Sequence, residues 1–170
     1  KIRTSLIKSE RKSWAQARFA GIMGASKFSG EEFLVAPGTA LPINNAPYTI
    51  ELWVKPEVHV APEHMVPVLW GQVEQEGCCC GLDIRVHEGK MHHFWWANDC
   101  SAPCAYDETE WKHVALTWDK ETRKVYVNGS LADSDCPSPN EIVDSDLLIG
   151  GRPEWGEGAA FVGEIAEIRI

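Results

Sequence analysis

No apolar stretch of the sequence reaches the length of about 18 residues that a membrane-spanning helix needs. The sequence also lacks a phosphate-binding loop, a dinucleotide-binding glycine motif and the G-x-S-x-G motif of serine hydrolases. These absences exclude a helical membrane span and leave no sequence motif for nucleotide binding. A Ser/His/Asp or Cys/His arrangement that the fold itself brings together stays open.

Positive charge is scarce outside the N-terminal region. Residues 1–27 hold seven Lys or Arg and one acidic residue, whereas residues 28–170 hold nine basic and twenty-four acidic residues. An acidic body disfavours nucleic-acid binding, because phosphate neutralisation needs a basic surface. We therefore predict a basic N-terminal arm at 1–27, which packs across the domain or docks on an acidic partner, and one domain at 28–170. The chain starts at Lys1 without methionine or a visible signal peptide, so we expect a processed or truncated product.

Short apolar segments separated by turn residues dominate the rest of the chain. Val114, Leu116 and Trp118 fall on one side of a predicted strand, and Asn128-Gly129 is a strong hairpin-turn signal. With 44% hydrophobic and 24% charged residues, the pattern predicts one all-β domain, an antiparallel two-sheet β-sandwich. The predicted strands are Phe33–Val35, Thr49–Lys55, Val66–Val73, Gly81–His87, Lys90–Ala97, Lys112–Asp119, Lys124–Asn128, Leu147–Gly150 and Val162–Ile170.

Four segments also carry a family resemblance when they are read in order. They are Phe28-Ser29-Gly30 through Phe33, Tyr48 through Pro56, Trp111-x-His113-Val114-Ala115 with Val125-Tyr126-Val127-Asn128-Gly129, and Phe161-x-Gly163-Glu164-Ile165 through Ile170. Together they resemble the laminin G-like jelly-roll domains of the concanavalin A-like lectin/glucanase superfamily, over residues 28–170. The resemblance implies a two-sheet jelly roll. It implies less about function, because this group includes lectins, adhesion modules, enzymes and structural parts.

Six cysteines are enough for three disulfides. If residues 87–91 form a short hairpin turn, Cys78 lies opposite residues 99 and 100, within the Cα separation of about 7 Å that a disulfide tolerates. We predict that Cys100 bonds Cys78 or Cys79. The remaining disulfide candidates are Cys80, Cys104 and Cys136. A zinc site is the alternative, but no pair of C-x-x-C units is present. The resemblance to secreted modules implies an oxidising compartment, extracellular or lumenal.

The segment 91–99 is rich in aromatic and polar residues. On a strand, His93 and Trp95 share one face, and Phe94 and Trp96 share the other. One face must pack in the core, and we expect the other to line the concave sheet. Aromatic rings stack on the apolar C–H faces of sugars, while Asn and Asp bond their hydroxyls. The predicted ligand-binding residues are Trp53, His93, Trp95, Trp96, Asn98, Asp99 and His113. The alternative is that these rings only fill the interior.

Calcium is the metal that the resemblance implies, and it prefers oxygen ligands from loops. The candidate ligands are Asn98, Asp99, Asp133 and Asp135, with Asp144 and Asp146 further along the chain, and we expect no other cofactor. Glucanases of this fold place two catalytic acids on one strand face. Glu74 and Glu76 share a face but lie outside a matching strand context, so we expect no enzymatic activity.

These observations predict a non-catalytic recognition or interaction module that binds glycans or protein surfaces. The alternative from another class is a structural or accessory subunit of a larger multiprotein assembly, with the basic arm among its partners. A glycoside hydrolase that uses Glu74 or Glu76 is the third hypothesis.

Overall fold

A computed structural model describes residues 24–57, 59, 63–71, 78–105, 110–152 and 159–170. Most of the predicted basic arm lies outside these residues, as do Glu74 and Glu76. The regular structure of the described part consists of twelve strands and one 3-10 turn at Val86–Glu88. No helix in this part is long and apolar enough to cross a bilayer. The predicted all-β class is confirmed.

The strands form two antiparallel sheets of six. The strands are β1 (Ser26–Ser29), β2 (Leu34–Ala36), β3 (Tyr48–Pro56), β4 (Met65–Gly71), β5 (Cys79–Arg85), β6 (Lys90–Phe94), β7 (Cys100–Pro103), β8 (Lys112–Trp118), β9 (Arg123–Val127), β10 (Ser130–Asp135), β11 (Leu147–Ile149) and β12 (Val162–Arg169). Sheet 1 has the order β1-β12-β3-β8-β9-β10, and sheet 2 has the order β2-β11-β4-β5-β6-β7. Strands distant in the chain thus lie side by side, which is the predicted jelly-roll sandwich.

Alternation along the central strands of sheet 1 turns one face inward. On β3, Leu52 and Val54 are fully buried, while Trp53 between them is partly exposed. Val114 on β8 pairs with Leu52, and Trp53 pairs with His113. Directly opposite residues share a face. Trp53 and His113 therefore lie together on the outer face of sheet 1.

Sheet 2 is buried on both faces along its central strands. Trp70, Leu82 and Met91 point inward into the main core. Leu69 and Phe94, on the outer face, belong to a second and smaller apolar cluster. A strand with two covered faces reads as a nearly continuous apolar run rather than an alternation. This explains why the sequence did not reveal which side of β6 is the interior.

Three observed strands, β1, β7 and β10, have no predicted counterpart. The Asn128-Gly129 turn connects β9 to β10, with φ of 50° and 78° at its two residues. Positive φ at both positions is typical of the mirror-image turn that suits a tight hairpin. The turn signal thus marked a second hairpin, whose outer strand, Ser130–Asp135, is too polar to show an apolar alternation. Asp133 and Asp135, expected in a loop, are strand residues.

The predicted disulfide does not form, and all six cysteines are free thiols. Gly81 pairs with Phe94 across β5 and β6, and His93 pairs with Cys100 across β6 and β7. Strand β6 therefore lies between the strand that begins at Cys79 and the strand that begins at Cys100. Strands two positions apart are separated by about 10 Å, beyond the roughly 7 Å that a disulfide spans. The chain reverses at residues 95–99 and adds β7 as a third strand, which the sequence-based pairing omitted.

Free thiols lead to a testable difference in reactivity. Burial raises the pKa of Cys80 and, together with Asp135 and Asp133, that of Cys100 to about 12, whereas Cys136 is exposed. The thiolate is the reactive form. We expect one fast-reacting thiol in the native protein and six after denaturation without reductant, counted with a thiol-specific chromophore. A Cys136→Ser variant should lose the fast phase. Fewer than six thiols in the denatured, unreduced protein would show that disulfides form after all.

Candidate functional site

Two of the predicted ligand-binding residues lie in the core. His93 and Trp95 are both fully buried. The Tyr48 hydroxyl accepts a hydrogen bond from Trp95 Nε1 at 2.7 Å and lies 2.9 Å from His93 Nε2. The Cys80 thiol donates to the same hydroxyl at 3.1 Å. These side chains hydrogen-bond one another inside the sandwich and offer no surface to a ligand.

Three other predicted residues, Trp96, Asn98 and Asp99, form the turn after β6. Positive φ at Trp96 and Ala97 reverses the chain there. Asp99 Oδ1 accepts a hydrogen bond from the backbone N–H of Trp95 at 2.8 Å. The Trp96 side chain is 36% exposed, and its ring lies 6.1 Å from that of Phe94. The turn therefore directs the Trp96 ring toward Phe94, away from the buried Trp95 ring and from the outer face of sheet 1.

Trp53 and His113 meet on the outer face of sheet 1. Their ring centroids are 5.2 Å apart. Across the other edge of β3, Trp53 pairs with Ala166 of β12. A methyl group covers little of a neighbouring ring, so one side of the indole has only a small neighbour. Alternation places Trp53 outside because Leu52 and Val54 define the inner face of β3. Strand β6 lies in the other sheet, so the expected common face with the 91–99 segment does not form.

Charged groups form a chain beside this ring pair. Arg169 donates to Glu51 Oε1 at 2.7 Å and to Glu167 Oε2 at 2.7 Å, while His113 Nε2 lies 3.5 Å from Glu51 Oε2. The hydrogen bond from Arg169 lowers the pKa of Glu51, and this effect outweighs the opposite effect of burial. Glu51 is thus held ionised next to Trp53. Tyr126 lies one strand further on, opposite Ala115, on the same face. We call Glu51, Trp53, His113, Tyr126 and Arg169 the Trp53 face.

Two of the four candidate calcium ligands, Asn98 and Asp135, bind a buried arginine. Arg123 is fully buried, and its guanidinium donates to both carboxylate oxygens of Asp135 and to the backbone carbonyl of Asn98 at 2.6 Å. The guanidinium carbon also lies 4.3 Å from the centroid of the Trp95 ring. The Asp133 carboxylate accepts from the thiol of Cys100.

These residues do not fit calcium in this arrangement. Asp135 already binds Arg123, and Asp99 Oδ1 accepts from a backbone N–H. The two oxygens of Asp133 accept from the Cys100 thiol and from the backbone N–H of Ser134. In the described residues, no three His, Cys, Asp or Glu side chains form a group that could hold a metal ion. Calcium could bind Asp135 and the Asn98 carbonyl only if it displaced the guanidinium of Arg123.

A polar row that the sequence did not suggest crosses the outer face of sheet 2. Asp83 of β5 pairs with His92 of β6, which pairs with Ser101 of β7. Ser101 Oγ lies 2.8 Å from His92 Nδ1. The row resembles a catalytic triad in composition only, because Asp83 Oδ1 and His92 Nε2 make no hydrogen bond to each other. The only sequence signal was a charged residue, Asp83, inside an apolar strand.

A shallow depression lies at the end of β4 and β11. It has a volume of about 150 Å³ and is lined by Leu69, Trp70, Gly71, Ser145, Asp146, Leu148 and Arg152. Pockets for small molecules usually measure about 300–1,000 Å³. This depression is too small to enclose a sugar, so an open sheet face is the better candidate for recognition.

Comparison with solved structures finds similar folds at low sequence identity. Mouse laminin alpha1 domains LG4-5 match at 18% identity with a TM-score of 0.69, over 91% of this chain and 44% of that chain. Domain 4 of AbnA, an extracellular GH43 arabinanase from Geobacillus stearothermophilus, solved with arabinotriose, matches at 21% identity and a TM-score of 0.60 over 89% of this chain and 72% of that one.

The CBM40 domain of a Ruminococcus gnavus IT-sialidase, bound to alpha2,3 sialyllactose, matches at 18% identity and a TM-score of 0.58. The match covers 86% of either chain. At these identities the similarity shows the fold alone. No curated protein sequence matches the chain. The sequence profile Laminin_G_3, of the concanavalin A-like lectin/glucanases superfamily, matches residues 28–170. The chain belongs to this family.

Proposed function

We propose that this domain is a non-catalytic recognition module that binds a glycan chain on the Trp53 face. The observation that carries the proposal is the pairing of Trp53 with His113 on an outer sheet face, beside the Glu51–Arg169 ion pair. An aromatic ring stacks on the apolar face of a sugar, and the ionised carboxylate and guanidinium bond its hydroxyls. All of these groups stand on β-strands, so they are held in place before a ligand arrives.

The structural neighbours support this class of ligand. One neighbour was solved with arabinotriose and another with sialyllactose, and both are ligands of those proteins. For this chain we propose an oligosaccharide, a location outside the cytosol, and binding that needs no calcium because Arg123 supplies the fixed cation at the rim. A protein surface as the target, or a structural place in a larger assembly, remains the competing function.

Replacing Trp53 tests the proposal directly. We expect Trp53→Ala to weaken binding to arabinotriose, sialyllactose or whichever glycan an array identifies at least about tenfold, equivalent to about 1.4 kcal/mol. The side chain is partly exposed on the surface of a sheet, so the variant should fold. Circular dichroism and isothermal titration of both proteins measure the two effects.

Trp96→Ala is the matched control, because it removes the same side chain from the turn after β6. We expect it to leave glycan binding unchanged. A loss with Trp96→Ala but not with Trp53→Ala would instead place the ligand at the turn of Trp96, Asn98 and Asp99. If no glycan binds and another protein co-purifies with the domain, the interaction or structural role is correct and the glycan proposal is wrong.

A further inference from the structure

The polar row on the outer face of sheet 2 contains two buried side chains with unused hydrogen-bonding atoms. Asp83 is 2% exposed and His92 is 4% exposed. Neither Asp83 Oδ1 nor His92 Nε2 has a hydrogen-bond partner in the part of the chain that the structure describes. The two residues are directly opposite each other on β5 and β6, where Cβ atoms lie about 5 Å apart. Two unsatisfied atoms thus occur on adjacent strands of the same face.

The other ends of both side chains are held in place. Asp83 Oδ2 accepts from Arg85 Nε at 2.9 Å and lies 3.1 Å from His64 Nδ1. His92 Nδ1 lies 2.8 Å from Ser101 Oγ. These bonds fix the carboxylate and the imidazole so that the unused atoms cannot rotate toward other partners. A buried polar atom without a partner destabilises the fold, and such atoms are rare enough in native proteins that each requires an explanation.

The chemistry of the two atoms limits what can bind them. A carboxylate oxygen only accepts hydrogen bonds, whereas a neutral imidazole nitrogen either donates or accepts. Burial, and next the charge of Arg85, lower the pKa of His92, so the ring is neutral at pH 7. An anionic group would meet the charge of Asp83. Among the described residues no metal-binding group of three His, Cys, Asp or Glu exists.

A single hydroxyl group satisfies both atoms when the neutral His92 ring carries its hydrogen on Nε2, since the hydroxyl then donates to Asp83 Oδ1 and accepts from His92 Nε2. We propose that Asp83 and His92 form a binding site for neighbouring hydroxyl groups of a neutral sugar, on the sheet opposite the Trp53 face. Phe94, two residues along β6 from His92, provides an apolar side to this site. The side chains of His64 and Arg85, 39% and 24% exposed, hold Asp83 Oδ2 and flank the site.

NMR of the imidazole nitrogens of a ¹⁵N-histidine-labelled domain tests this site. The probes are methyl β-D-galactopyranoside and methyl α-D-mannopyranoside, and the fully O-methylated galactoside is the control ligand that lacks hydroxyls. We expect a saturable shift of the His92 Nε2 resonance with at least one of the two glycosides and none with the O-methylated compound. Because the readout is His92 itself, the result does not depend on glycan binding at the Trp53 face.

Asp83→Asn should raise the dissociation constant of that glycoside at least about tenfold, because a hydrogen bond to a charged acceptor is lost. Asp144→Asn, the same change at an exposed aspartate, is the matched control and should leave it unchanged. Ser101→Ala is a second variant, should Asp83→Asn not fold, and it should weaken binding because the His92 ring loses its orienting partner.

Three results would overturn the proposal. The first is a His92 resonance that responds to neither glycoside but shows exchange cross-peaks to water, because a structural water alone would then occupy the gap. The second is covalent labelling of Ser101 by a fluorophosphonate, because the row would then act as a hydrolase. A glycoside affinity that is the same in wild type, Asp83→Asn and Ser101→Ala would equally exclude the site.

Discussion

Arg123→Met is expected to destabilise the domain by about 3 kcal/mol, the lower end of the usual range for removing one partner of a buried ion pair. The lower end applies because the Asp135 side chain is 38% exposed, so water can hydrate its carboxylate once the cation is gone. The Asn98 carbonyl loses its donor, and the Trp95 ring loses the guanidinium stacked against it. Urea unfolding of both proteins, followed by tryptophan fluorescence, measures the difference.

Two further variants separate the contributions to this loss. Arg123→Lys keeps the charge but cannot reproduce the planar fork that reaches Asp135 and Asn98 together, so an intermediate loss is expected. Arg123→Met combined with Asp135→Asn should be less destabilised than the two single changes added together, because the double variant contains no unpaired carboxylate. Arg169→Met is the matched control, since its exposed ion pair with Glu51 contributes little to stability.

Calcium provides an independent check of the same cluster. With Arg123 present, we expect equal melting temperatures in calcium and in a chelator, because the ion would have to displace a buried guanidinium. A rise of several degrees on adding calcium to the wild-type protein would contradict the assignment of Arg123 as the cation of this rim. It would restore the calcium site that the family resemblance implied.

The fold could be predicted because alternation is a local property of the chain. Leu52 and Val54 identify the inner face of β3 without any knowledge of its neighbours, and they place Trp53 outside. Alternation could not identify the inner face of the segment around His93 and Trp95, because both faces of β6 are covered and neither face has a polar pattern. The residues sharing a face could be predicted there, but the identity of the inner face depends on the opposite sheet.

Buried polar groups could not be predicted from the sequence. Arg123 lies in a run of charged residues that is typical of an exposed turn, yet it is fully buried because Asp135 and Asn98 supply its partners. Those partners come from β10, which was not predicted, and from the turn after β6. Asp83 and His92 likewise meet only through the register of β5 and β6. Such contacts follow from long-range pairing, which a single sequence does not encode locally.

Lowering the pH from 7 to 5 is expected to destabilise the domain through His93. Burial, and next the positive charge of Arg123, hold the pKa of His93 well below its ordinary value. In the unfolded chain the pKa returns to about 6.5. Below that pH the unfolded state binds a proton that the folded state does not bind. The contribution of neutral His93 is therefore complete above about pH 6.5 and is lost as the pH falls, by about 1.4 kcal/mol per pH unit.

The hydrogen bonds around Tyr48 fit the neutral His93 ring, although burial is the main cause of its low pKa. The hydroxyl accepts from Trp95 Nε1 and from Cys80, so its own hydrogen is directed to His93 Nε2. A protonated ring would turn that acceptor into a donor and leave two hydrogens facing each other. The pKa of His92 is lowered as well, so its protonation adds to the slope in the upper part of the same pH window.

His93→Gln isolates the contribution of this ring, because glutamine can still accept the Tyr48 hydrogen bond but does not titrate. We expect the variant to be less stable at pH 7. Its free energy of unfolding should also fall less steeply between pH 7 and pH 5, because about one fewer proton is taken up on unfolding than in the wild type. Tyr48→Phe, which weakens the same cluster but keeps the histidine, should lose stability and retain the steep slope. Urea unfolding at closely spaced pH values measures both slopes, and equal slopes in wild type and His93→Gln would show that His93 is not the titrating group.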